Sequence, residues 1–129
     1  MCGGSETRMP PILNFTDLEV WKVGRRIRRR IYQITSTFPR SERYNLTGQM
    51  RSAAVSMTSN IAEGFGRFSY KENTRSCRIS RGEACELQDH IITALDEEYI
   101  DQATYDELDQ ELRLFLRLIN GYIRSIGNR

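Results

Sequence analysis

The sequence predicts an all-α fold, an antiparallel up-down-up-down four-helix bundle. Three observations lead there. Apolar residues recur at alternating three- and four-residue steps in four segments, the mark of a helix with one buried face. The connections between those segments are short, which favours antiparallel neighbours. No stretch shows the alternation of a half-buried strand, an internal repeat or a low-complexity tract. Helices one and three should then run parallel, and so should helices two and four. Residues 1–14 are expected to form a disordered leader and residues 15–129 the bundle.

The first helix is expected to start at a capping box, with Thr16 accepting from the backbone and Glu19 reaching back. Val20, Gly24, Ile27, Ile31, Ile34 and Phe38 then form a heptad seam. Pro39 should stop the helix, because the residue before a proline avoids helical angles. The second helix begins after Thr47 and turns Met50, Ala54, Met57, Ile61 and Phe65 inward. Its small residues Ala53, Ala54, Ser56, Ser59 and Ala62 allow neighbours to approach closely. Gly64 and Gly66 are expected to end it by adopting left-handed angles.

Ser69 and Glu72 predict a capping box for the third helix, which should run to about Glu98. Cys77, Ala84, Leu87, Ile91 and Leu95 fit its inner face, and Gly82 is expected at a close helix contact. Asp101 is the expected N-cap of the fourth helix. There Tyr105, Leu108, Leu112, Phe115, Ile119, Tyr122 and Ile126 hold a seven-residue pattern. Leu114, Leu116, Leu118 and Ile123 add apolar surface outside that seam, which predicts a second buried face and hence oligomerisation.

A chain of 129 residues suits one domain with a single modest core. No apolar run approaches the roughly 18 residues of a membrane span, and none resembles a signal peptide. The expected location is cytoplasmic, without membrane contact. Cys77 and Cys85 lie about 12 Å apart along one helix, too far for a disulfide. Both are expected to be buried free thiols, with Cys2 in the leader.

Charge is unevenly distributed. Residues 1–82 hold 15 Lys/Arg against 6 Asp/Glu, a net +9, and residues 83–129 hold 4 against 11, a net −7. All of the basic residues except Lys22 and Lys71 are arginines, whose planar fork suits phosphate. On the first helix, spacing places Lys22, Arg25, Arg26 and Arg29 along one outer stripe, flanked by Arg28 and Arg30. Such a stripe can neutralise successive phosphates. Equally, it can be a solvated face partly paired with the acidic fourth helix. A second group follows the glycine turn, where Lys71, Arg75 and Arg78 share a face beside Arg67 and Arg81. The two groups are expected to reinforce each other if they lie close together. With Arg51 added, the candidate nucleic-acid contacts are Arg25, Arg26, Arg29, Arg51, Arg67, Lys71, Arg75 and Arg78.

Other polar residues have plainer readings. Asn60 is expected to hydrogen-bond across helices, and Glu63 to pair with Arg67 along one helix face. His90 is the single histidine and has no ligand or nucleophile pattern around it. The Glu-x-x-His element of di-iron bundles, a phosphate-binding glycine loop and nucleophile motifs are all missing. We therefore expect no enzyme, cofactor or metal. Phe68 and Tyr70 are the aromatic residues expected to interleave the arginines, so charge-driven binding is favoured over base reading.

Several segments together resemble the four-helix-bundle proteins encoded in intervening sequences of 23S ribosomal RNA genes. They are residues 15–22 (FTDLEVWK), 31–35 (IYQIT), 38–39 (FP), 44–51 (YNLTGQMR), 60–67 (NIAEGFGR) and Gly82-x-x-x-Glu86-Leu87. The similarity extends over about residues 15–126. That family usually has alanine at Gly24, proline at Thr58 and serine at Glu83, and the first two departures bear on helix packing. The resemblance implies a small antiparallel bundle that associates as a homo-oligomer, commonly a pentamer. It extends to accessory proteins of diversity-generating retroelements, whose rings bind RNA or DNA and a reverse transcriptase. The rival expectation is a protein-interaction adaptor that uses its charged faces for docking.

Overall fold

The computed structural model describes residues 11–127. Four α-helices account for most of them: α1 (Glu19–Thr35), α2 (Leu46–Phe65), α3 (Tyr70–Asp96) and α4 (Gln102–Gly127). Short 3-10 turns at Phe15–Asp17 and Arg40–Glu42 precede α1 and α2. Each helix packs on its sequence neighbours, α4 closes the bundle against α1, and α1 makes no contact with α3 across the diagonal. Cross-helix partners run in opposite order, Arg26 with Glu111 and Arg30 with Glu107, so α1 and α4 are antiparallel. The up-down-up-down bundle is therefore observed. No helix among the described residues is long and apolar enough to cross a membrane. Cys2 and residues 1–10 of the expected leader lie outside the described residues.

The heptad reading places the core correctly. All six seam residues of α1 are buried, and Met50, Ala54, Met57 and Ile61 of α2 are fully enclosed. Leu87 and Ile91 of α3 meet Leu112, Phe115 and Ile119 of α4 in the same cluster. Each such side chain contributes about 1.5–3 kcal/mol when fully buried. Leu114 and Leu118 lie one turn apart on the stripe that carries Glu107 and Glu111 toward α1. Leu116 and Ile123 flank Asn120 on the α3 side. All four are partly buried against the core.

Helix ends depart from the sequence reading in several places. The capping box belongs to Asn14 and Asp17, two residues before the expected Thr16 and Glu19. Leu18 is extended (φ −74°, ψ 128°), so Thr16 falls inside the 3-10 turn and Glu19 opens α1. Helix α1 ends at Thr35, before Pro39 can act. The hydroxyls of Thr35, Ser36 and Thr37 donate to the carbonyls of Ile31, Gln33 and Ile34 at 2.6, 2.6 and 2.8 Å. These local bonds compete with the continuing helix ladder. Pro39 instead opens the 3-10 turn that follows.

Gly64 lies within α2, and Gly66 caps it at φ −79°, so neither adopts a left-handed angle. Gly64 serves close packing. A Cβ there would lie 2.6 Å from Asn73 Oδ1 and 2.9 Å from Ser76 Cβ on α3. Gly24 does the same for α1, where a Cβ would meet Thr58 Cγ2 at 2.9 Å and the Phe115 ring at 3.1 Å. The departures at positions 24 and 58 thus fall on one contact. Gly82, expected at a close contact, faces open space, because glycine spacing alone does not say which side of a helix is covered. Cys85 is likewise exposed, whereas Cys77 is buried and its thiol is pushed up to about 11 by desolvation.

Ser69 and Asp101 cap α3 and α4 as expected, accepting from the amides of Glu72 and Thr104 at 3.3 and 2.8 Å. Helix α3 closes at Asp96 through Glu98, a left-handed non-glycine residue (φ 60°). The Tyr99 amide then reaches back to the Ala94 carbonyl at 2.9 Å. This closure delivers the Tyr99 ring to Phe38, 5.1 Å between centroids, and its hydroxyl to Glu42. The two connections at this end of the bundle are thereby tied together.

Candidate nucleic-acid interface

The eight candidate residues fall into three places. On α1, the outer stripe is partly neutralised. Arg26 donates to both carboxylate oxygens of Glu111, at 2.9 and 3.1 Å. Arg30 donates to Glu107 at 2.7 Å, and Lys22 lies 3.7 Å from Glu19. Arg28 turns toward α2 and donates to Thr58 Oγ1 at 2.8 Å. Only Arg25 and Arg29 of the candidate set on α1 stay exposed without an ion pair among the described residues. Arg25 lies over the Trp21 ring at 5.9 Å. The acidic fourth helix thus consumes part of the basic first helix within one chain.

Arg51 is at the corner between α1 and α2. Its Nε donates to Thr35 Oγ1 at 2.9 Å, and its guanidinium stacks 4.8 Å from the centre of the Tyr32 ring. Arg40 and Arg43 join it there, lining the same polar pocket. Neither was a sequence candidate. Each sits alone in a loop segment, and nothing local signals that Arg51, on the next helix, points to the same place. Arg43 also lies 5.3 Å from the centre of the exposed Tyr44 ring. Aromatic partners therefore extend beyond the expected Phe68 and Tyr70.

The third place begins at the α2–α3 turn. Arg67 is paired with Glu63 at 2.7 Å, along one helix face as expected. Asn60 does not bridge helices. Its amide donates to the Ser56 carbonyl and hydroxyl at 3.0 and 2.9 Å, one turn back on α2. Lys71, Arg75 and Arg78 line a groove of about 480 Å³ together with Tyr70, Thr74 and Ile126 of α4. Their i, i+4 and i+3 spacing brings all three to one side of α3. None of the three is ion-paired among the described residues. Arg81, one turn on, donates to Asn120 of α4 at 2.9 Å. The α1 and α3 groups sit on diagonal helices, so they do not merge into one patch.

A family model described as 23S rRNA-intervening sequence protein matches residues 16–121. No curated protein matches the chain. Among solved structures, it is similar to a protein of unknown function of the S23 ribosomal protein family from Bacteroides thetaiotaomicron VPI-5482. That likeness has a TM-score of 0.75 at 18% identity, covering 81% of this chain and 95% of the other. It supports the four-helix fold.

Proposed function

The chain belongs to the 23S rRNA-intervening sequence protein family, and we propose that it is a non-catalytic protein that binds RNA or DNA through phosphate contacts. The observation that carries this reading is the groove of Lys71, Arg75 and Arg78. Three cations line one concave surface with no carboxylate among its described lining residues. Phosphates of a polyanion supply the missing charge and release counterions as they do so. Phe68, fully exposed at the turn leading into this groove, offers a face on which an unpaired base stacks. Arg25 and Arg29 form a second contact set on α1. Arg26 and Arg67 contribute less, because each already holds a carboxylate.

Self-association strengthens such a surface. A homo-oligomer, with a pentamer as the form the family resemblance suggests, multiplies a modest patch without new contacts. Exposed Val55, Ile79 and Ile92 supply apolar area for it. Fluorescence anisotropy with duplex DNA, structured RNA and single strands, titrated from low to physiological salt, tests the reading. Binding should weaken steeply with salt. Replacing Lys71, Arg75 and Arg78 with Gln should flatten the slope by roughly 0.9 per lost duplex phosphate contact.

The pairing of Arg26 and Arg30 with Glu111 and Glu107 favours a second reading, an adaptor for a protein such as a reverse transcriptase. Acidic and basic faces that match within one chain can also match between chains. Absence of nucleic-acid binding at physiological salt, together with capture of such a partner, would select it.

A further inference from the structure

The corner between α1 and α2 holds a pocket of about 270 Å³, several times the roughly 30 Å³ share of a liquid water. Arg40, Arg43 and Arg51 line it, with Thr35, Ser36 and Thr47, and no carboxylate does so among the described residues. None of the three guanidinium groups makes an ion pair among the described residues. Their mutual repulsion is uncompensated, in contrast to the α1–α4 flank. The one acidic residue of the loop is committed elsewhere. Glu42 accepts from Tyr99 Oη at 2.8 Å, Asn45 Nδ2 at 3.1 Å and the Leu46 amide at 3.3 Å. It makes no ion pair with Arg40 or Arg43, on either side of it in sequence, among the described residues.

A further detail marks this as more than a crowded surface. Arg51 spends only its Nε on Thr35, and the Tyr32 ring behind it fixes the plane of the fork. Four of its five N–H donors remain for a ligand.

We propose that this corner pocket binds a single phosphate group. A tetrahedral oxyanion offers more acceptor oxygens to the three arginines that line the pocket than the two of a carboxylate. The inference rests on the nucleic-acid reading only for the source of that phosphate, a backbone phosphodiester rather than free phosphate. Arg43 beside the exposed Tyr44 then places a stacking face next to the anchored phosphate.

Amide NMR of the full chain tests this at constant ionic strength, with inorganic phosphate first and a short single-stranded oligonucleotide second. Phosphate should shift the amides of Arg43, Thr47 and Gly48. The response should fall at least tenfold in R40Q/R43Q and persist in K71Q/R75Q/R78Q. No shift at the corner, or an unchanged response in R40Q/R43Q, would overturn the pocket. The oligonucleotide distinguishes the sources. If it shifts the same amides, the phosphodiester is the ligand. If phosphate binds but the oligonucleotide shifts nothing anywhere, the pocket stands as a free-phosphate site and the nucleic-acid reading fails.

Discussion

Two arginine clusters bordering α1 meet opposite fates. On the α1–α4 flank, Arg26 and Arg30 face Glu111 and Glu107, and the charge is settled inside the molecule. At the α1–α2 corner, Arg40, Arg43 and Arg51 line one pocket with no carboxylate among its described lining residues. Arginine content is therefore a poor guide to a binding surface. What decides is whether the facing helix brings an anion. Exposed pairs of the first kind contribute about 0.2–1 kcal/mol each, so the flank is neutral more than it is strong.

The contrast can be broken at its root. Gly24→Ala would push α1 away from Thr58 and Phe115, disturbing both regions at once. Overpacking typically costs about 1–3 kcal/mol, against a helix-propensity gain of about 1. We expect a net loss of about 1–2 kcal/mol by thermal or chemical denaturation. Adding Thr58→Ser, which removes the crowded methyl and keeps the hydroxyl that Arg28 uses, should recover most of it. A fully stable single mutant would mean that the helices part without cost there.

Charge removal sharpens the comparison. R40Q/R43Q should lower phosphate affinity tenfold or more, while R26Q/R30Q should change it less than twofold in the same titration. Equal effects would erase the distinction between the two clusters. The converse change, E107Q/E111Q, frees Arg26 and Arg30. Duplex affinity should then rise a few-fold and the salt slope steepen by up to roughly 1.8, or 0.9 for each new phosphate contact. No change would show that those side chains cannot reach a backbone even when released.

The smallest effect concerns pH. The Tyr99 hydroxyl, followed by the Leu46 amide, holds the Glu42 carboxyl below its ordinary range. A carboxyl depressed in the folded state adds stability that is present above its unfolded value and lost as pH falls through the folded one. Denaturation midpoints should decline on acidification below the ordinary glutamate range, and Glu42→Gln should reduce that decline. An identical profile in the variant would remove Glu42 as a contributor.

What the sequence made legible were features carried by neighbours along one helix. The seams from Val20 to Phe38 and from Leu108 to Ile126, the caps at Ser69 and Asp101, and the shared face of Lys71, Arg75 and Arg78 are all of that kind. Lateral facts were not legible. Arg26 and Glu111 are separated by 85 residues, and only the assembled bundle brings them together. The same holds for Arg51 with Tyr32 across two helices. Gly82 and Cys85 misled because the polar residues Asn73 and Ser80 hold buried positions on α3 and hide its regular seam, and a shift of one position turns a residue from core to solvent. Gly64 was noticed for the wrong reason: the backbone needs its missing Cβ, not its freedom of rotation.

The notch at Gly24 has one more consequence. Lys22, Arg26 and Arg30 are spaced four apart, and so are Glu107 and Glu111. Sliding α4 by one turn would set Lys22 against Glu111 and Arg26 against Glu107, leaving as many ion pairs as before. Electrostatics on this flank is thus periodic, blind to which rung is which. The Phe115 ring seated against the bare α-carbon of Gly24 has no such repeat. It works as a keyway, adding a preference for one register that the ion pairs lack.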